Sequence, residues 1–164
     1  MLETQGHQAV TIPLHASTVR PEWVDYNGHL RDAYYLLIFS EATDALMDHI
    51  GLDACTRERT YTTIFTLECH LRFLREVKRS ITVQVRTQLL GHDAKRLHIH
   101  QSLMVGESDE AAAVCEQMLM HVDGRGPKSA PFAPEVLACV QAIAAAHARL
   151  PKPLNVGRVM RLPG

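Results

Sequence analysis

Paired cysteines are missing from this chain. Its four, Cys55, Cys69, Cys115 and Cys139, lie far apart with no C-x-x-C pair, which fits neither a zinc knuckle nor a disulfide framework. They read as reduced residues. An excess of charge is missing too: 17 Lys and Arg stand against 18 Asp and Glu, so the chain lacks the basic field of a dedicated nucleic-acid binder. Its apolar runs fall well short of the roughly 20 residues that cross a bilayer, and Met1 to Leu14 has no basic start followed by an apolar stretch. The expectation is a soluble, cytoplasmic protein with neither nucleic acid nor membrane as partner. Gly124-Arg125-Gly126 lacks the rest of a dinucleotide fingerprint, and Gly106-Glu107-Ser108 lacks the closing glycine of a nucleophile elbow.

What is present is one domain's worth of core-forming sequence, 164 residues of which 46% are hydrophobic, together with ten histidines. Residues 1–13 are polar and mixed and read as a lead-in. A strand is predicted over Leu14–Arg20, stopped by Pro21. Asn27-Gly28 then signals a tight turn, since both residue types tolerate positive φ. Between Leu30 and Ile50, Ala33, Tyr34, Leu37, Ile38, Ala42, Ala45 and Leu46 recur at helical spacing, and Gly51 is a natural stop. That helix is apolar over so much of its girth that it is expected to be buried.

The period then changes to two. A strand beginning near Tyr61 places Phe65, Leu67, Cys69, Leu71 and Phe73 on one face and Thr66, Glu68, His70 and Arg72 on the other. Further strands follow from Ile81 to Leu89, Arg96 to Val105 and Ala111 to Val122, with polar turns at Gly91-His92-Asp93 and residues 106–110. A last helix is expected over Pro134–Leu150. Strand, long helix, four strands and helix make an α+β chain in which a five-stranded antiparallel sheet wraps around one long central helix, with a C-terminal helix added. The expected division is a lead-in over 1–13, a domain over 14–126, and a packed helix and tail over 127–164.

That order, with Trp23-Val24-Asp25-Tyr26-Asn27-Gly28-His29-Leu30 at the mouth of the long helix, resembles the hotdog-fold acyl-CoA thioesterases of the 4-hydroxybenzoyl-CoA thioesterase type. The resemblance covers about Leu14 to Val122. It is nearest to the branch that hydrolyses betainyl-CoA, an activity also found fused to carnitine dehydrogenase, through Ala42-Thr43-Asp44-Ala45-Leu46, Lys95-Arg96-Leu97-His98, Glu116-Gln117-Met118 and His121-Val122-Asp123, with Ala146-His147 and Gly157-Arg158 beyond the core domain. Many relatives continue Gly-His-Met-Asn where this chain has Gly28-His29-Leu30-Arg31, so no role of an asparagine at 31 carries over.

The resemblance implies hydrolysis of a small acyl-CoA to free acid and CoA, with no cofactor and no metal, in a homodimer or homotetramer whose pocket lies between subunits. Asp25 is the candidate nucleophile or general base, and equally a residue type that closes turns by accepting backbone N–H groups. By the family pattern the Asp32 amide serves the oxyanion and Gly28 lets backbone approach the thioester. His29 and Asn27 have either a catalytic or a loop-fixing role.

Trp23, Tyr26 and Tyr34, with Tyr35 beside them, suggest an aromatic wall for a quaternary ammonium. The plain alternative for these tyrosines is core packing. By the resemblance the Glu68 strand can face the partner's active site in a dimer, which makes Glu68 a candidate carboxylate for the same cation; the alternative is a surface or paired glutamate. Lys95 and Arg96 are the first choice for the CoA phosphates, and Arg72, Arg75, Lys78 and Arg79 the second. His98-x-His100 with Glu68 has the spacing of a metal site but reads better as ordinary polar strand residues. A noncatalytic acyl-CoA binding or sensing protein on the same fold is the alternative function.

Overall fold

The computed structural model describes residues 11–154 and 156–162. The long helix, α1, spans Asp32–His49 and ends where Ile50 donates to the Leu46 carbonyl and Gly51, at φ 89°, leaves the helical region. Its buried stripe is Tyr35, Ile38, Phe39, Ala42, Thr43, Leu46 and Met47. The predicted stripe was rotated from this: Ala33 and Leu37 face out and Leu36 joins them, while Tyr35, Phe39 and Met47 turn in. The apolar girth misled because Leu36 and Leu37, about 40% exposed, belong to a second apolar face that the described residues leave uncovered.

Around α1 lie β1 (Ile12–Thr18), β2 (Thr62–Phe73), β3 (Thr82–His92), β4 (Arg96–Val105) and β5 (Ala111–Asp123), preceded at β2 by a short helix, α2 (Ala54–Thr60). They form one curled antiparallel sheet in the order β1-β3-β4-β5-β2, and a two-residue β6 (Lys128–Ser129) adds to β5. β1 starts two residues earlier than predicted and contains Pro13, which an edge strand tolerates because one row of its N–H groups has no partner. Residues 1–10 of the expected lead-in lie outside the described residues. The α2 turn and β6 had no strong periodic signal, being too short to repeat a pattern.

β2 departs from its predicted faces. A bulge between Thr66 and Glu68 leaves Leu67 without a direct partner, so two residues of β2 answer one of β5. Directly opposed residues share a face, which places Ile64, Thr66, Cys69, Leu71 and Phe73 on the α1 side and Phe65, Glu68, His70 and Arg72 on the other. The extra residue moves Phe65 to the far face from where simple alternation would leave it.

The core has two apolar clusters. One joins Trp23, Tyr35, Ile38 and Phe39 to Val83, Val85 and Leu103; the other joins Leu46, Met47 and Ile50 to Leu97, Ile99, Leu119 and the C-terminal helix α3 (Pro134–His147) through Val136 and Val140. Between them runs a buried polar seam. Gln117 Nε2 donates to Gln101 Oε1 at 2.7 Å, Gln101 Nε2 reaches the hydroxyls of Thr43 and Thr87, and Thr43 donates to the Phe39 carbonyl. The seam satisfies four polar side chains that burial would otherwise penalise. α3 also covers the part of β3 that extends past β1, where His147 Nδ1 accepts the Leu89 N–H at 2.8 Å.

Candidate active site at the start of the long helix

The turn before α1 is built by backbone bonds. Asp25 N donates to the His29 carbonyl at 2.9 Å, Gly28 N donates to the Asp25 carbonyl at 3.0 Å, and Val24 bridges to Leu30. Gly28 takes φ 78°, and a Cβ there would meet nothing within 4 Å, so the backbone conformation rather than space calls for glycine. Asn27 does not take a positive φ; its place at the tip is held by its N–H on the Asp25 side chain, which is why the expected left-handed asparagine is not needed. The turn docks on residues 77–79 through Leu30 N to the Val77 carbonyl at 2.7 Å and Arg79 N to the Gly28 carbonyl.

Asp25 is a turn-closing residue in this geometry. Its Oδ1 accepts from Asn27 N at 2.8 Å and His29 N at 3.1 Å, while among the described residues no hydrogen bond reaches Oδ2. The His29 amide above all, with that of Asn27 and the charges of His29 and Arg31, holds the carboxyl below its ordinary value of 3.8 against a smaller opposing effect of burial. The group is thus an ionised carboxylate with one oxygen anchored and one free. His29 contributes its N–H to that anchor, but its imidazole turns away, with Nε2 3.1 Å from Glu76.

At the mouth of α1, Arg31 N is taken by the Trp23 carbonyl, and Asp32 accepts the Ala33 N–H on its own side chain. The Asp32 N–H has no protein acceptor among the described residues, as expected of a first-turn amide. Beside it opens a cleft of about 350 Å³ lined by Leu30, Asp32, Tyr35, Phe73, Arg75 and Glu76. Asp25 is not part of this lining. It is linked to the cleft through His29, whose ring meets Glu76 at the rim.

The predicted binding residues are dispersed. Trp23 is buried, stacked on Tyr34 at 5.5 Å between centroids, and already carries the Arg20 guanidinium 4.8 Å from its ring. Tyr26 is almost fully exposed, so the four aromatic residues do not make one open wall. Glu68 lies on the sheet face away from α1, with His70, His98 and Glu116 around a separate cleft. There His98 Nε2 is 2.7 Å from Glu116 Oε1, and His100 Nε2 is buried without a partner, so the three candidate ligands do not converge.

Lys95 and Arg96 stand at the far end of β3, eleven residues of extended chain and about 35 Å from its start beside the loop. Lys95 bonds Ser129, and Arg96 pairs with Asp93. The Lys95 amide and Arg96 side chain hold Asp93 at about 2. Lys78 and Arg79, from the second group named on sequence, are exposed and lie next to the loop, where Lys78 bridges to His29. Phe73 and Glu76 were missed as cleft residues; the signal available was the end of an apolar strand followed by a basic and acidic turn.

A curled antiparallel sheet around one long helix, with a further helix at the C-terminal end, is the hotdog architecture. Residues 19–140 match the family model described as the thioesterase-like superfamily. The chain is 64% identical over 145 residues to a betainyl-CoA thioesterase of Pseudomonas aeruginosa, covering 88% of this chain and 91% of that one. It is 42% identical to an L-carnitine dehydrogenase/betainyl-CoA thioesterase of Agrobacterium fabrum over 76% of this chain and 25% of that longer protein. Among solved structures, a Staphylococcus aureus protein in complex with CoA superposes with a TM-score of 0.85 at 27% identity, covering 94% of this chain and 98% of the other. The chain belongs to the thioesterase-like superfamily and is a thioester hydrolase of the acyl-CoA thioesterase type. None of the helices among the described residues is long and apolar enough to cross a membrane.

Proposed function

We propose that this chain hydrolyses betainyl-CoA to free betaine and CoA. The observation that carries the reading is the 64% identity, across nearly the whole of both chains, to a relative of that activity. The site geometry supports it: an ionised Asp25 with a free Oδ2 lies in the loop that leads into α1, whose first amide, that of Asp32, is unpartnered.

Two routes use these groups. As a general base, Asp25 takes a proton from a water that attacks the carbonyl carbon; the carbonyl oxygen becomes an oxyanion facing the Asp32 N–H, and collapse breaks the C–S bond and expels CoA as thiolate, which recovers a proton. As a nucleophile, Asp25 Oδ2 attacks instead, CoA leaves, and water cleaves the resulting anhydride. After single-turnover hydrolysis in ¹⁸O-water, label in Asp25 identifies the nucleophilic route, which alone forms an anhydride that water can open at the Asp25 carboxyl carbon. Gly28 and Asn27 shape the turn, and His29 positions Asp25. Lys78 and Arg79 take the CoA phosphates in place of Lys95 and Arg96.

The working unit in this reading is at least a homodimer. Phe65 and Leu67 on edge strand β2 are about half exposed, and an open apolar edge is a surface for a second strand. Thiol release over a panel of betainyl, aromatic and short-chain acyl-CoA esters tests the substrate, with betainyl-CoA expected to give the highest kcat/KM. No release from it overturns the reading. Sedimentation of the native protein and Leu67→Lys tests the dimer: native dimer and variant monomer are expected, and a monomeric native protein rejects it.

A further inference from the structure

We infer that the cleft at the mouth of α1 is the seat of a quaternary ammonium acyl group, with Phe73 and Glu76 as its specificity determinants. This rests on the reading that the substrate is a cationic acyl thioester. In such a substrate one CH₂ separates the carbonyl carbon from the cationic nitrogen, so the two lie only about 2.5 Å apart. Whatever recognises the cation must therefore line the same cleft as the Asp32 amide. Within one chain, Glu68, on the opposite face of the sheet, and Trp23, buried under Arg20 and against Tyr34, do not.

The cleft has the chemistry that a trimethylammonium needs. That group donates no hydrogen bond, so it is held by aromatic faces and by negative charge at short range. Phe73 is more than half exposed and packs edge-to-face with Tyr35, with ring centroids 5.1 Å apart, at the wall of the cleft. Tyr35 is fixed there by its hydroxyl, which donates to the Arg75 carbonyl at 3.4 Å. Two carboxylates, Asp32 and Glu76, line the same space. Among the described lining residues the cation is Arg75, and it is turned to Ser108, the Glu110 carbonyl and the Glu110 carboxylate; Glu76 has the His29 ring 3.1 Å away at the rim, and Asp32 accepts the Ala33 N–H. At about 350 Å³ the cleft has room for a small acyl group.

The test is discrimination between betainyl-CoA and its neutral isostere, 3,3-dimethylbutanoyl-CoA, in which carbon replaces nitrogen. Wild-type protein is expected to favour betainyl-CoA in kcat/KM, and Phe73→Leu and Glu76→Gln are each expected to lower that preference by about tenfold. Both positions are solvent-facing, and melting temperatures confirm that the variants fold. A loss felt equally by both substrates, as when Glu76 acts only through His29, overturns the assignment. So does a wild-type preference that both variants keep. Absence of any turnover of betainyl-CoA by the wild type, with other acyl-CoAs cleaved, instead overturns the functional reading on which the assignment rests.

Discussion

The backbone N–H of His29 donates to Asp25 Oδ1 at 3.1 Å, while the His29 ring is 3.1 Å from Glu76. One residue thereby ties the carboxylate to the cleft by its main chain and not by its imidazole. Asp25→Asn keeps an oxygen that can accept both backbone bonds, so the fold is expected to survive while kcat falls by more than about a hundredfold. His29→Gln keeps the amide and is expected to cost less than about tenfold. Thiol-release kinetics check both, and the reverse ranking would make the imidazole the base.

Activity is expected to persist on the acid side. The Asp25 carboxyl lies below its ordinary 3.8 chiefly because it accepts the His29 N–H, so its ionised form is favoured in the folded state. A depressed carboxylate stays charged above its folded value and is lost only as pH falls through it. The acid limb of kcat/KM is therefore expected below pH 4 in the native enzyme, and Asp25→Asn removes it. An acid limb near pH 6 that persists in Asp25→Asn would point to a histidine.

The Gln117–Gln101 bond lies at the centre of the polar seam between the two apolar clusters. Gln101→Leu leaves the Gln117 amide buried without its acceptor, which costs about 1–3 kcal/mol. Replacing both with leucine removes donor and acceptor together and recovers part of the loss. Urea unfolding of the single and double variants measures the coupling, and strictly additive losses would deny the seam a joint role.

On the far face, Glu116 holds the C-terminal tail: Oε1 meets His98 Nε2 and Oε2 accepts the Gly157 N–H, both at 2.7 Å. Burial raises the Glu116 carboxyl, but the Gly157 and His98 hydrogen bonds together outweigh it and the net displacement is downward. This contribution is complete above the ordinary value of 4.5 and is lost as pH falls through the depressed one. Hydrogen exchange at the Gly157 amide is expected to be slow at pH 5 and fast in Glu116→Ala. Equal exchange in the two proteins would detach the tail from Glu116.

Sequence alone determined the long helices and long strands, because a period near 3.6 over Leu30–Ile50 and a period of two over Tyr61–Val122 follow from local backbone geometry. It also determined the loop, since the Asn27-Gly28 turn and the Asp25 carboxylate are neighbours in the chain, and with them the family. What periodicity could not carry was register between elements. The bulge at Leu67 reassigns a face, and the α1 stripe is rotated because only packing on the sheet tells Tyr35 from Leu37. Distance was likewise tertiary: Lys95 and Arg96 are separated from Asp25 by the length of β3, whereas Phe73 and Glu76, some fifty residues on, are brought to its helix. Chemistry is local to a side chain, but the company it keeps depends on hydrogen-bond register and core packing across the whole sheet.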